Sequence, residues 1–383
     1  LSIVNIDLAR LYVSRFNNFS EREKLIDIYM KIPYQRINDS PTMKHYTDWS
    51  IYENSNLGID TTDDIYENYI NKEIITNYKH IFIINNNIIG INYLDDTKNN
   101  LILPEEHKIV AISLALSKKI EIKENGNYVF YHINTKNNIF SPVNIEIKLS
   151  EGESNIFFIS EVKGENSMNS DIISLDVNKN SHVNFNYISI SNNNLLFSYI
   201  KGKILGSIST NLFSARGKMS HIEYSIELYE DSNANFTARA LGVNDDKVTV
   251  LCKVNHKQKK SKSVGKMKGI AAENSQVIIR GVATITESAH DSSTEILGKS
   301  LLIGKNAKSA VVPMLEVKTG RVNLAKHSAS ASKVPEDYIF YLQNRGLSKK
   351  EAEGIIIRNF LIEENDIELV KDYIVKILQT VGI

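Results

Sequence analysis

Residues 321–347, Arg-Val-Asn-Leu-Ala-Lys-His-Ser-Ala-Ser-Ala-Ser-Lys-Val-Pro-Glu-Asp-Tyr-Ile-Phe-Tyr-Leu-Gln-Asn-Arg-Gly-Leu, change character half-way. Up to Lys333 the pattern is short, alternating and rich in small residues, as in a strand ending in a close-packed turn. Beyond it the pattern is helical. Pro335 suits a first turn, Glu336 and Asp337 favour the positive end of a helix, and Tyr338, Ile339, Phe340 and Leu342 give a broad apolar face. Gly346 is a natural stop. A β body therefore gives way here to a helical segment, and His327 lies just before the change.

Upstream, from about Ile81 to Ala325, short alternating runs follow one another, as in Val183, Phe185 and Tyr187 against Asn184 and Asn186. No helix-period segment separates these runs, which excludes a doubly wound α/β domain. One run, His107–Leu116, is apolar at so many positions that helix and strand cannot be told apart. Polar corners recur before the strands, at Gly152–Asn155, Asn178–Ser181, Asp231–Ala234, Glu273–Ser275 and Gly304–Ala307. Their unequal intervals are of solenoid size or about twice it. Asn, Ser and Gly take up left-handed corner conformations cheaply, while Val, Ile and Phe stack inside. We read a β-solenoid, although a pair of β-sandwiches would give nearly the same pattern.

The flanks are helical: residues 1–83 mainly so, then a β core over 84–333, then helices over 334–383. Ser20 and Glu23 have capping-box spacing ahead of Leu25, Ile28, Tyr29 and Ile32, and Ser348 and Glu351 repeat it ahead of Ile355–Leu361. The last helix carries Ile367, Val370, Ile374, Ile377 and Leu378 on one face. That much apolar surface needs a cover, either the end of the solenoid or a partner.

Composition narrows the function. Forty-five basic and 45 acidic residues cancel, so no global field draws the chain to nucleic acid or an anionic membrane. No apolar run reaches membrane-spanning length, and Leu1–Asn5 lacks the features of a secretion signal. The single cysteine, Cys252, rules out an internal disulfide and fits a reducing cytoplasm. Set among Val248, Val250 and Leu251, it reads as a small packed hydrophobe.

Other chemical signals weaken on inspection. Gly298-Lys299-Ser300 and Gly304-Lys305 lack the glycine that opens a phosphate loop, so ATP chemistry belongs to a partner. The basic run from Lys253 to Lys268 lacks interleaved aromatics and reads as a solvated face. Glu287, His290, Asp291 and Glu295 have the donors for a divalent ion but read as a solvated turn.

The opening stretch also resembles the signature of the SufB/SufD family of iron–sulfur cluster assembly proteins. The resemblance rests on His327, Ser328, Ala329 and Ser330, followed without a gap by Ile339, Phe340, Tyr341, Leu342, Arg345 and Gly346. Pro41–Trp49 loosely resembles a segment near the family's N-terminus. The likeness is specific over about 247–361 and thin before residue 80. It implies a right-handed parallel β-helix core, which tips the choice away from sandwiches. It also implies that the C-terminal helices dock the SufC ATPase, with Phe340, Tyr341, Arg345, Gly346 and Phe360 as candidate contacts. His327 would then lie at a SufB–SufD junction as a metal or cluster ligand.

SufB scaffolds carry a Cys where this chain has Gly298, and His-Glu where it has His327-Ser328. The chain therefore resembles SufD more than SufB. The expectation is a non-enzymatic subunit with no stably bound cofactor, only a transient iron–sulfur cluster at a junction. It would pair with a SufB-like scaffold, or with itself as a divergent homodimeric scaffold. The rival from another class is a sugar-cleaving or adhesive β-solenoid.

Overall fold

The structure is a computed structural model describing residues 2–34, 47–62 and 77–380. Two parallel sheets face each other across a shared interior. One contains β4 (Lys119–Ile122), the first halves of β6 (Ile139–Val162) and β7 (Met168–Ile190), β8 (Leu195–Ile204), β10 (Met219–Leu228), β12 (Lys247–His256), β14 (Gln276–Ile285) and β16 (Lys308–Val317). The other contains β2 (Lys79–Ile84), β5 (Asn127–Asn134), the second halves of β6 and β7, β9 (Ser207–Ala215), β11 (Asn233–Gly242), β13 (Lys262–Ala272), β15 (Ser292–Ile303) and β17 (Val322–Lys333). Successive strands cross from sheet to sheet, so the chain winds as a β-solenoid. Two short strands complete it: β1 (Gly58–Ile59) pairs with β6, and β3 (Asn87–Ile89) folds back on β2 as an antiparallel hairpin.

Register gives the coil its specificity. Each inward residue sits over its counterpart in the coil below, so like stacks on like. Phe130, Phe158 and Tyr187 form one such column, with ring centroids 5.7 and 5.4 Å apart. On the other side of the sheet Asn184, Asn155 and Asn127 pass amide hydrogen bonds down the stack at 2.9 Å each. The corners at Gly152, Asp231, Glu273 and Gly304 each adopt positive φ, as do Asn138, Asn166 and Asn244. The Asn178–Ser181 corner does not, because β7 bends through it as continuous extended chain.

Both outer faces are covered. Over the first sheet lie α1 (Ile6–Val13), α2 (Phe19–Lys31), α3 (Trp49–Glu53) and α4 (Lys108–Leu116), packed on Ile172, Leu195, Phe197 and Met219. The ambiguous run is thus the helix α4, and every residue from Ile109 to Leu116 is buried. A helix buried on all sides shows no amphipathic period. The expected capping box at Ser20 does not form: α2 begins at Phe19 and Ser20 lies inside it. Arg22 instead accounts for this corner. It donates to Asn18 Oδ1 at 2.8 Å and caps α4 through the carbonyls of Ala115 and Ser117, at 2.8 and 2.9 Å. The Pro41–Tyr46 part of the loosely matching N-terminal segment lies outside the described residues.

After β17 come α5 (Glu336–Gln343), α6 (Lys349–Leu361) and α7 (Glu368–Thr380), with the capping box at Ser348 and Glu351 formed. The apolar face of α7 is covered by the flank of the second sheet, where Val370, Ile374 and Ile377 share a core with Phe157, Phe213, Leu241 and Ile270. A polar clamp fixes this packing. Arg239 of β11 is fully buried and grips both carboxylate oxygens of Asp366 at 2.6 and 2.7 Å, while its Nε donates to Leu361 O at 2.7 Å. Beside it Glu363 pairs with Lys266 at 2.7 Å and with Lys268, and Lys268 donates to Phe360 O.

Breaking one side of a buried pair leaves an uncompensated charge, whereas replacing both partners with apolar groups is often neutral. Asp366→Ala is expected to cost about 3–5 kcal/mol, read as a lower urea midpoint and early proteolytic loss of α6 and α7. The Arg239→Leu/Asp366→Leu pair is expected to recover most of it. An unchanged midpoint for Asp366→Ala would show that the clamp does not hold the helices.

Candidate functional site at the open end of the solenoid

The last two strands end the solenoid unevenly. β16 is half-buried over most of its length, and β17 is exposed over nearly all of it. β17 bonds to β15 along one edge, with Glu295 opposite Lys326, Ile296 opposite His327, Gly298 opposite Ala329 and Ser300 opposite Ala331. Thr294, Ile296, Gly298 and Ser300 are the buried, inward positions of β15. By the two-residue period of a strand, Ala325, His327, Ala329 and Ala331 form the inward row of β17. His327 therefore belongs to the row that elsewhere fills the core, and is exposed because no further coil covers it. Val311, Pro313 and Leu315 of β16 face it across the end, being paired with the inward positions Ile279, Gly281 and Ala283.

Space at this end is tight. A Cβ built on Gly298 would come 2.2 Å from Val311 Cγ1 and 3.3 Å from Met267 Cε. Gly298-Lys299-Ser300 lies wholly in extended β15, so it forms no phosphate loop. The outward row is charged and paired, with Lys326 on Glu295 and Arg321 on Asp291, both at 2.7 Å. Two acids of the candidate metal turn are thus spent on ion pairs. Among the described residues no three His, Cys, Asp or Glu side chains converge as a metal site.

Beneath the end sits an interior histidine that no sequence motif marks out. His256 lies between Ser261 and Ser263, at 2.8 and 2.9 Å, and Ser263 reaches Thr294 at 2.7 Å, one coil below Ala325. Burial pushes its pKa down to about 4. Deeper still, His132 stands 2.5 Å from Asp171 and 2.9 Å from Ser141, with Tyr187 donating to Asp171 at 2.6 Å. The combination has the composition of a hydrolytic triad, but His132, Ser141 and Asp171 are all fully buried and give a substrate no surface. Cys252 is also fully buried in the core, with its thiol pKa pushed above the ordinary range.

The helical segment starts at once from β17. Val334 is buried and Pro335 is the N-cap of α5. Tyr338, Phe340 and Tyr341 are exposed by 64%, 66% and 56%, so α5 presents three aromatic rings to its surroundings. Arg345 stacks on Tyr341 and bonds its hydroxyl at 2.7 Å, and Gly346 turns the chain at φ 93°. Phe360 is placed differently: it is half-buried against the sheet, under Lys268. In the basic run Lys253, Lys257, Lys259, Lys266 and Lys268 pair with Glu223, Glu227, Glu230 and Glu363.

Residues 131–360 match the family model described as the SufBD core domain of the SUF system for FeS cluster assembly. The chain belongs to the SufB/SufD family. Similar proteins include a chloroplastic SufBD-family iron–sulfur cluster assembly protein of Arabidopsis thaliana, 33% identical over 131 residues, covering 34% of this chain and 23% of that one. The iron–sulfur cluster assembly protein SufD of Bacillus subtilis is 25% identical over 308 residues, covering 72% of this chain and 67% of its own. A SufBD-family protein of Staphylococcus saprophyticus is 25% identical over 220 residues, covering 56% and 47%. For the first and third of these, well under two thirds of the relative's length is matched. Family membership places the chain in iron–sulfur cluster assembly and agrees with the solenoid. No helix among the described residues is long and apolar enough to cross a membrane.

The interior histidines make stability depend on pH. His256 and His107, the N-cap of α4, have pKa values lowered from 6.5 to about 4 and about 3, chiefly by burial. The folded protein therefore binds fewer protons than the unfolded chain below pH 6.5, so stability present above that value is lost as pH falls toward 4. Urea unfolding followed by Trp49, the chain's one tryptophan, is expected to show a loss of about 2 kcal/mol per histidine between about pH 7.5 and about pH 5. His256→Gln is expected to reduce that loss by about half. A pH-independent midpoint would mean that these imidazoles are not buried neutral.

Proposed function

We infer that the chain is a SufD-like subunit that supports cluster assembly without catalysing a step itself. The observation that carries this reading is the inward-row imidazole of His327 on an unpaired edge strand. A strand with one free edge is a ready template for another chain, and the ring stands where a second solenoid would close over it. A neutral imidazole can ligate iron, but without thiolates a cluster on this chain alone is chemically weak. The cluster is thus cargo formed transiently at the junction. The crowding of Gly298 by Val311 supports the SufD-like assignment, since the position matching the scaffold's cysteine has no room for a side chain.

In this reading the partner at the edge is a SufB-like scaffold. A second copy of the chain is the other occupant of the same edge, and a homodimer persisting when a SufB-like chain is supplied would favour it. A SufC-type ATPase binds the aromatic face of α5 and supplies the ATP chemistry, all within the cytoplasm. A sugar-cleaving or adhesive role gains no support, because neither an acidic groove nor a use for α5 follows from the geometry.

Phe340→Ala/Tyr341→Ala is expected to weaken retention of the ATPase by about 30-fold or more in co-purification, as for a central aromatic contact. His327→Ala is expected to stop cluster delivery while thermal stability and ATPase retention stay unchanged. Unchanged delivery by His327→Ala would remove the junction role of the imidazole.

A further inference from the structure

The outward rows of the second sheet change character along the strands. Near the strand starts they are polar, with Asn127, Asn155, Asn184, Ser209 and Asn235 standing in register, half-buried or exposed. Near the strand ends they are apolar, and Phe213, Leu241 and Ile270 share a core with Ile374 and Ile377 of α7. Such a sheet face is apolar where something lies over it and polar where water does.

The first strands are apolar beyond what α7 fills. Phe82, Tyr131 and Ile159 form one outward row, and Ile133 and Ile190 flank Glu161 in the next. Between these residues and the last turns of α7 lies a cavity of about 530 Å³, with Tyr373 and Ile377 as its helical wall. Phe82, Tyr131, Ile133 and Ile159 are each less than a tenth exposed, so the space is a cleft with a sheltered floor rather than a surface patch. Its volume suits a small molecule. A helix about 10 Å across could place little more than one turn in it.

Floor and rim select the ligand. Phe82 and Tyr131 stack at 5.0 Å with their planes 12° apart, so their faces are turned to each other and their edges to the cleft. Ring edges carry the positive part of the aromatic quadrupole and favour the π face of another ring. At the rim, Lys163 on the sheet side lies 3.1 Å from Glu161, and Lys376 on the helix side lies 5.2 Å over the Tyr373 ring. Two ammonium groups against one carboxylate leave one positive charge in excess. The carbonyl end of α7 works against an anion, but the Thr380 hydroxyl covers one of those carbonyls by donating to Ile377 O at 2.7 Å.

We propose that this cleft binds a flat aromatic molecule carrying one negative charge. The ring system lies across the edges of Phe82 and Tyr131, with Tyr373 and Ile377 beside it, and the acid group lies between Lys163 and Lys376. The site is separate from β17 and α5, and stands whether or not the chain has the partners proposed above.

The probe is 8-anilinonaphthalene-1-sulfonate, titrated into the native full chain at neutral pH and followed by its fluorescence. Saturable binding at one site per chain is expected. Ile190→Trp, which fills the cleft from the half-buried end of β7, is expected to weaken binding at least about tenfold. Lys376→Glu, at an exposed position of α7, is expected to weaken it by about fivefold or more. Both variants should keep the parent's cooperative thermal unfolding, and the exposed Lys376→Glu keeps the test open if Ile190→Trp does not fold. No saturable binding, or binding unchanged by Ile190→Trp, overturns the site. Binding indifferent to Lys376→Glu, or equally tight for the uncharged N-phenyl-1-naphthylamine, overturns the assignment of an anion.

Discussion

A parallel ladder satisfies its hydrogen bonds only by being followed by another strand, and every strand added recreates the same need at the new edge. At the N-terminal side of this solenoid the need is met within the chain. The β2–β3 hairpin turns back on itself, and Ile88 and Ile91 pack on the interior core. At the other side no described residue pairs with one edge of the 12-residue strand β17, whose inward row of alanines and one histidine is open to the outside. So long an exposed edge is a liability for a protein that keeps it uncovered. The outward lysine and serines of β17 reduce that hazard, and the small inward residues let another surface approach closely.

The same stacking that leaves the end open also determines what lies on the flanks. Inward positions are mostly apolar from coil to coil, with the buried polar groups His132, Asp171 and His256 paired among themselves and with serines, and the helices pack on the outer faces. There the first sheet carries the α4 layer, and the second carries the clamped C-terminal helices. The helices thus reach the open end along the side of the solenoid rather than capping it. An end cap would have buried His327. A flank mount leaves it exposed and joins its strand directly to α5.

Much of this was legible in the sequence. The alternation of β7 and the corners at Gly152, Asp231, Glu273 and Gly304 are local and therefore readable. What separates a solenoid from two sandwiches is not local: the stacking partners Asn127 and Asn155 are 28 residues apart, and neither announces the other. The clamp is still less readable, Arg239 and Asp366 being 127 residues apart. Its one trace is a charged arginine on the outer row of Phe236–Leu241, a stretch otherwise free of charge. The Ser20 capping signal was misleading because Arg22, committed to Asn18 and to the end of α4, draws the start of α2 two residues earlier. His327 was found through a motif, and only its register opposite Ile296 revealed that it faces inward.

That register bears on the chemistry as well. An outward histidine on β17 would meet solvent and the charged row of Lys326, and its environment would be that of any surface imidazole. Facing inward, His327 has Ile296 beneath it, Ala325 and Ala329 beside it, and Val311 and Leu315 across the end. Were a second surface to close over such a position, an iron held there would meet one nitrogen ligand and an apolar surround, the neighbouring Glu295 being on the outward row and paired with Lys326. A single neutral ligand of this kind binds reversibly, and in an apolar surround the charge of a cluster must be balanced by the opposing surface. In the role proposed above, such a position would hold cargo without retaining it.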